Sequence, residues 1–183
     1  MVADRERVLR AAAALLVRRP NAAMAEVAQA AGISRATLHR LVPSRDALVV
    51  ELAKLALTEG EAALEAAKPE DGDAAEAVRR VVRELMPIAD LYAFLTGEHL
   101  LITRPELDAG YDLLDRRLTA LIRRGQESGQ FRVDLTAEWL VEALVALLTG
   151  AGFAVLDGKL APRDAPRAVS ELLIGGMLRG GVQ

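Results

Sequence analysis

The sequence predicts an all-α fold of about nine helices, with an N-terminal head of three helices and a larger helical body. Two observations carry this prediction. Apolar residues recur at three- and four-residue intervals along most of the 183 residues, which is the period of an amphipathic helix. No segment of useful length alternates apolar and polar residues, as a half-buried strand does. With 52% hydrophobic residues and a net charge of −3, we expect a soluble globular protein.

Composition narrows the classes of function. Cysteine is absent, which excludes disulfides, thiolate metal sites and cysteine nucleophiles. The longest uncharged run near the C-terminus, Ala143 to Leu156, has 14 residues, whereas a membrane span needs about 18 or more. The apolar run Ala11 to Val17 lies between arginines and continues a helical pattern, so it is not predicted to be a signal peptide. We expect a cytoplasmic protein with no membrane partner.

The head begins with a helix from Asp4, which can cap it, to about Arg19. Pro20 and Asn21 end this helix, because proline cannot continue one. Its apolar residues form one stripe, and this stripe consists of Val8, Leu9, Ala12, Leu15 and Leu16. The first helix therefore packs its apolar stripe against the two short helices that follow and completes their core.

Two short helices joined by a three-residue turn come next. Met24 to Ala30 form the first, Gly32 supplies a turn with positive φ, and Ser34 caps the second, which runs through Leu41. Two helices in this arrangement are a helix-turn-helix, whose second helix enters the DNA major groove. The face away from Leu38 is predicted to contact DNA. Its candidates are Ser34, Arg35, Ala36, Thr37, His39 and Arg40. The alternative is an ordinary solvated helix face.

The distribution of charge agrees with a nucleic-acid-binding head. Residues 1–48 contain eight arginines and four acids, a net charge of +4, and the remainder of the chain carries −7. A basic segment joined to an acidic remainder is typical of a DNA-binding unit attached to a body with another role.

A long fourth helix links the head to the body. Pro43 closes the helix-turn-helix, Ser44 can cap the next helix, and an amphipathic pattern runs over residues 45–67. Residues 68–73, KPEDGD, are the clearest loop. We therefore predict a DNA-binding domain over 1–48 and a body over 49–183.

Five further helices are predicted in the body. The first carries an apolar stripe from Val78 to Leu85 and is kinked or ended by Pro87. The others are 91–102, 105 to a stop between 125 and 129, 137–155, and 167–179. The helix over 137–155 is apolar on almost all sides, so it must be covered from several directions.

Residues 8–52 resemble the N-terminal domain of the TetR family of transcriptional regulators. The matching features are the leading helix, the alanine-rich second helix, the AAGIS turn, the TLHR recognition helix and the PSRDAL restart. The rest of the chain matches in layout. The resemblance implies double-stranded DNA as a partner, a body that binds a small-molecule effector, and a homodimer in which the last two helices of each subunit form a four-helix bundle.

The head also departs from the family pattern. His39 stands where the family usually has a tyrosine that contacts phosphate, and Arg45 stands where it has a lysine with the same role. Both side chains keep a hydrogen-bond donor for a phosphate. Arg45 is therefore also a DNA-binding candidate. Pro20 replaces a glycine. Ala23 replaces a capping Ser or Thr, and loss of such a cap costs about 1 kcal/mol.

The implied ligand chamber is predicted between residues 84–102 and the helices that begin at Pro105 and Ala137. Glu98 and His99 interrupt the otherwise apolar stretch LYAFLTGEHLLIT. The full set of ligand candidates is Met86, Tyr92, Phe94, Glu98, His99, Tyr111 and Trp139. The alternatives are a polar surface pair or a satisfied buried hydrogen bond for Glu98 and His99, and plain core for the apolar residues.

The two C-terminal helices carry more apolar surface than one body can cover. Predicted dimer contacts are Leu144, Leu147, Leu148, Ala151, Leu172, Leu173, Gly176 and Met177. Gly175 and Gly176 lie inside the last helix, where each costs about 1 kcal/mol relative to alanine. A close helix contact at these glycines would explain them.

The favoured hypothesis is a ligand-responsive repressor, which binds a palindromic operator as a homodimer and is released by a small molecule. The alternative is a ligand-independent or architectural DNA-binding protein. Catalysis is not predicted, because the chain has no glycine-rich phosphate loop, GxSxG or HExxH, and adjacent Glu98 and His99 cannot face each other on a helix. With two histidines and no cysteine, we expect no metal site and no cofactor.

Overall fold

The computed structural model of the protein describes residues 2–98 and 104–178, and of residues 2–4 only the backbone. Within these ranges it has nine α-helices and no strand beyond one isolated bridge between Phe131 and Leu178. The helices are α1 (Val2–Arg18), α2 (Met24–Ala30), α3 (Arg35–Leu41), α4 (Arg45–Ala67), α5 (Ala74–Leu85), α6 (Ala89–Thr96), α7 (Pro105–Glu127), α8 (Ala137–Leu156) and α9 (Ala165–Met177). The all-α prediction is confirmed.

Several helix boundaries differ from the prediction. Helix α1 begins at Val2, so Asp4 lies inside the helix and is not its cap. Helix α6 starts earlier than predicted, at the end of a 3-10 turn over Met86–Ile88 that contains Pro87, and it ends at Thr96. Helix α9 starts at Ala165 because Pro166 occupies its first turn, where a proline needs no hydrogen-bond partner. Residues 99–103, which include His99, lie outside the described residues.

The core of the head continues into the body. Helices α1, α2 and α3 contribute buried apolar residues such as Leu16, Val27 and Leu38, but the same cluster includes side chains of α4 and α6. From α6, Phe94 is buried in this cluster. A change in the position of α6 would therefore move a wall of the head.

The core of the body lies between α5, α7, α8 and α9, with the C-terminal half of α4 beside it. The apolar stripe of α5, from Ala74 to Leu85, is buried along its length. Phe131 is fully buried where the chain enters α8, against Gly125, which has no room for a side chain. These contacts hold α7, α8 and α9 as one unit.

Helix α8 is 20 residues long and, by length and composition alone, could cross a membrane; it is the only such helix in the described residues. The sequence count of 14 residues missed this because it stopped at Glu142, whereas the helix includes Glu138 and Glu142 in its first two turns. A third of its most apolar window is buried inside the protein.

A close approach of two helix backbones occurs at Gly152 and not at the glycine pair in α9. An added Cβ at Gly152 would lie 2.7 Å from the carbonyl oxygen of Ala89, which is backbone and cannot move aside easily. By contrast, Gly175 and Gly176 have nothing within 4 Å of such a Cβ. Within one protomer, the predicted close contact at Gly175 and Gly176 is therefore wrong.

We predict that replacing glycine by alanine destabilises the protein at one position of α8 and not at another. Gly152→Ala should lower the free energy of unfolding by about 1 to 3 kcal/mol, because α6 and α8 must separate to admit the methyl group. Gly150→Ala should not lower it, since a Cβ there meets nothing within 4 Å and alanine has the higher helix propensity. Thermal unfolding of both variants tests this prediction, and equal melting temperatures would contradict it.

Candidate functional site

The structure forms the helix-turn-helix as predicted. Gly32 has a φ of +66°, and Ser34 caps α3 by accepting a hydrogen bond at Oγ from the backbone N–H of Thr37 at 3.1 Å. Leu38 is buried and fixes α3 to the head. These contacts determine which side of α3 faces outward.

The outward side of α3 is basic and unpaired. Arg35, His39 and Arg40 are exposed, and none has a hydrogen-bond or ion-pair partner among the described residues. Ser34 and Ala36 are also exposed, whereas the hydroxyl of half-buried Thr37 lies 2.9 Å from Ser34 Oγ. Side-chain donors with no partner among the described residues are available to phosphates and base edges.

Glu26 compensates for the missing cap at Ala23. Its carboxylate accepts a hydrogen bond from the backbone N–H of Ala23 at 2.8 Å and pairs with Arg19 at 2.6 Å. The backbone hydrogen bond, followed by the charge of Arg19, lowers the pKa of Glu26 below its ordinary value. One donor at the start of α2, the N–H of Ala23, is therefore satisfied by a side chain of the helix itself.

Among the basic DNA-binding candidates in the described residues, Arg45 is the one whose side chain bonds to other helices and loops of the protein. Its Nη2 donates to the carbonyl oxygen of Pro20 at 2.8 Å and to Glu98 Oε1 at 3.0 Å. Pro20 follows α1 and Glu98 follows α6. Arg45 thus joins the first turn of α4 to the head and to the body, while the rest of its guanidinium remains available for a phosphate.

The body contains a cavity of about 530 Å³ at the predicted position. Helices α4 to α8 all contribute to its wall, which is mostly apolar. Its lining residues are Leu64, Leu85, Ala89, Tyr92, Leu95, Thr96, Glu98, Asp108, Tyr111, Leu114, Asp115, Leu118, Val141, Glu142, Val145, Leu148 and Thr149. Pockets for drug-sized ligands span roughly 300–1,000 Å³.

The structure brings together only part of the predicted ligand set. Tyr92, Glu98 and Tyr111 line the cavity, whereas Met86 lines a smaller one of about 330 Å³ between α5 and the C-terminal helices. Phe94 and Trp139 are not in either cavity. Each lies two positions from a lining residue, which turns it to another side of its helix: Phe94 is in the core of the head, and Trp139 is 59% exposed.

Four acidic residues line the cavity, Glu98, Asp108, Asp115 and Glu142, and no lysine, arginine or histidine of the described residues lines it. Glu98 also pairs with Arg45, which lies outside the lining. Sequence reasoning found only Glu98. The spacing of Asp108, Tyr111 and Asp115 on α7 places them on one helix face, and this signal was available in the sequence. A wall with this charge favours a ligand that is both apolar and cationic.

The two tyrosines at the cavity differ in their contacts. The Tyr92 hydroxyl donates to the carbonyl oxygen of Ala56 in α4 at 3.0 Å. Burial raises the pKa of Tyr92 well above its ordinary value, with smaller contributions from Tyr111 and Glu59, so this hydroxyl stays neutral. Burial also raises the pKa of Tyr111. Tyr92 is thus a fixed tie between α6 and α4, and Tyr111 is free to meet a ligand.

A second surface is apolar and exposed. We call it the apolar patch; it consists of Trp139 and Phe153 of α8 and Leu172 of α9. Of the predicted dimer contacts, Leu172 and Gly176 are exposed and Leu147 is half-buried. The other five are buried in the protomer's own core, so the prediction chose the wrong side of α8 and α9 for them; they are Leu144, Leu148, Ala151, Leu173 and Met177.

Comparisons with known proteins give full-length similarities. No family profile matches the chain. The HTH-type transcriptional regulator NfxB of Pseudomonas aeruginosa is 31% identical over 182 residues, which cover 96% of this chain and 95% of that protein. The HTH-type transcriptional repressor LfrR of Mycolicibacterium smegmatis is 31% identical over 154 residues, covering 84% of this chain and 80% of that protein.

Solved structures agree with these relatives. The crystal structure of the TetR-like regulator LfrR in complex with proflavine has a TM-score of 0.78 and 28% identity, covering 97% of this chain and 99% of that one. A transcriptional regulator from Saccharomonospora viridis in complex with choline has a TM-score of 0.68 and 26% identity, covering 98% of this chain and all of the other.

Proposed function

The chain belongs to the TetR family of transcriptional regulators, and from this premise we propose that it is a ligand-responsive repressor of the bacterial cytoplasm. It binds a palindromic operator as a homodimer and leaves the operator when a small molecule occupies the cavity. The observation that carries the ligand-responsive part is the cavity of about 530 Å³ beneath the head. Its relatives are regulators, and no catalytic role is proposed.

The exposed face of α3 supports the DNA-binding part of this proposal. Arg35 and Arg40 have no partner within the described protein, and arginine can donate two hydrogen bonds to guanine. The candidates Ser34, Ala36, Thr37 and His39 lie around them. A two-fold dimer presents two such faces to two half-sites, which is why the operator is expected to be palindromic.

We expect Arg40→Ala to weaken specific operator binding by about 1 to 3 kcal/mol if Arg40 reads a base. The matched control is Arg163→Ala, which removes an arginine whose side chain is 88% exposed in the body, away from the head. Fluorescence anisotropy on operator and on random DNA measures both variants. Equal losses on the two DNAs would assign Arg40 to a phosphate, and no loss would remove it from the interface.

The apolar patch supports the homodimer. Exposed large apolar side chains on neighbouring helices are unusual for a monomer, and they mark protein interfaces. Pairing of α8 and α9 with the same helices of a second copy would also cover the apolar side of α8. A dimer interface would therefore account for the apolar composition of α8 without a membrane. Leu147 and Gly176 lie beside this patch and remain candidates for the contact.

Leu172→Glu should shift a dimer toward monomer at micromolar concentration, because the charge would be buried without a partner in the interface. Leu172 is 67% exposed in the protomer, so the substitution leaves the protomer's own core intact. Val133→Glu is the control, since Val133 is 75% exposed and lies outside the patch. Sedimentation velocity measures the three proteins, and a monomeric wild type would refute the dimer.

The charge of the cavity indicates the class of effector. Four acidic residues line the cavity and no basic residue of the described chain does, and this charge favours a lipophilic cation. The two ligand complexes among the similar structures point the same way, because choline is a quaternary ammonium ion and proflavine is readily protonated. A ligand releases DNA only if it binds the released conformation more tightly than the DNA-bound one.

Tetraphenylphosphonium and tetraphenylborate test this assignment, because they have nearly the same shape and opposite charge. The cation should raise the melting temperature and lower operator affinity, and the anion should do neither. At a concentration of 100 times its Kd, a ligand stabilises the folded state by about 2.7 kcal/mol. If neither ion binds, or if the anion binds equally well, the cationic effector is wrong. If a broad screen of metabolites also gives no compound that binds the protein and lowers its operator affinity, a ligand-independent regulator would be favoured.

A further inference from the structure

Glu98 belongs to two sites at once. Its side chain lines the cavity, and its Oε1 accepts a hydrogen bond from Arg45 Nη2 at 3.0 Å. Of the four carboxylates in the cavity wall, Glu98 is the one with an ion-pair partner within the described chain. The same carboxylate is therefore presented to a ligand on one side and to an arginine of the head on the other.

Arg45 in turn holds the junction between head and body. It is the first residue of α4, directly after the cap Ser44, whose Oγ accepts from the N–H of Ala47 at 3.1 Å. Its Nη2 also donates to the carbonyl oxygen of Pro20, where α1 ends. Arg45 thus connects the end of α1, the start of α4 and, through Glu98, the end of α6.

We propose that Glu98 is a positioning residue whose carboxylate is shared in competition between Arg45 and a cation in the cavity. Without ligand, Glu98 holds the Arg45 guanidinium against Pro20 and so fixes the head on the body. A cation that enters the cavity takes over this carboxylate, the Arg45 contact weakens, and the head loses its DNA-binding orientation. This inference rests on the proposed function and names the residue through which it acts.

Burial makes such competition effective. The side chains of Glu98 and Arg45 are 22% and 36% exposed, so water screens the pair less than it screens a surface ion pair. A single carboxylate cannot neutralise two cations fully, and binding of one lowers its attraction for the other. Because coupling between two binding events is reciprocal, removal of Arg45 must strengthen binding of the cation.

The first experiment measures tetraphenylphosphonium binding by calorimetry on the full chain without DNA. Arg45→Met should raise the affinity about two- to fivefold, the effect expected for loss of a competing ion pair of this exposure. Arg45→Lys keeps a cation beside Glu98 and should bind as the wild type does. Glu98→Gln should weaken binding, and in the double variant the Arg45→Met gain should disappear, because the two effects act through one contact.

Two control variants separate this contact from general charge effects. Arg116→Met removes an exposed arginine from the cavity helix α7, and Asp112→Asn removes an exposed carboxylate from the same helix; neither side chain lines the cavity. Both should bind tetraphenylphosphonium as the wild type does. A gain for Arg116→Met equal to that for Arg45→Met would overturn the proposal, because removal of any nearby positive charge would then suffice.

The second experiment measures operator binding with no cation present. Glu98→Gln should lower operator affinity several-fold although Glu98 is not on the DNA-binding face of α3, and tetraphenylphosphonium should then release much less DNA. An unchanged or raised operator affinity would overturn the proposal. The proposal would also be overturned if the wild type binds the cation and releases DNA but Arg45→Met binds the cation no more tightly than the wild type. In that case the proposed function would still hold. If tetraphenylphosphonium binds none of the proteins, both proposals fail together.

Discussion

The structure depends on one constraint: three short helices cannot enclose an apolar core of their own. The first three helices contribute an apolar stripe that includes Leu16, Val27 and Leu38, and side chains of α4 and α6, with Leu107 of α7, complete its burial. The hydrophobic effect therefore fastens the head to three elements of the body, and all three, α6 among them, also contribute to the wall of the cavity. Any displacement of α6 by a ligand must either open the core of the head or carry the head with it.

Local signals in the sequence were sufficient for the helices and the helix-turn-helix. The Ser34 cap, the Gly32 turn and the proline boundaries act within a few residues, so pattern reasoning found them. The position of the cavity followed from the resemblance and the order of the helices. The pair of Arg45 and Glu98 did not follow, because the two residues are 53 positions apart and each had a plausible separate role.

The sides of α8 were harder to assign for a physical reason. A helix that is apolar almost all round has no polar face to reveal its orientation, so periodicity cannot tell the core side from the exposed side. Leu144 and Leu148 are buried, whereas Trp139 and Phe153 are exposed. On α7 the opposite holds: its acidic and aromatic residues alternate with an apolar stripe, and Asp108 and Asp115 could have been placed at the cavity from the sequence.

The apolar patch contains Trp139, which is the only tryptophan in the chain. Indole emission shifts to longer wavelength in contact with water, so the intrinsic fluorescence of the unlabelled protein reports on this single surface. Tryptophan elsewhere contributes no background. Whether the patch is wet or covered can thus be followed during dilution, titration or heating, and the protein carries its own optical probe of association.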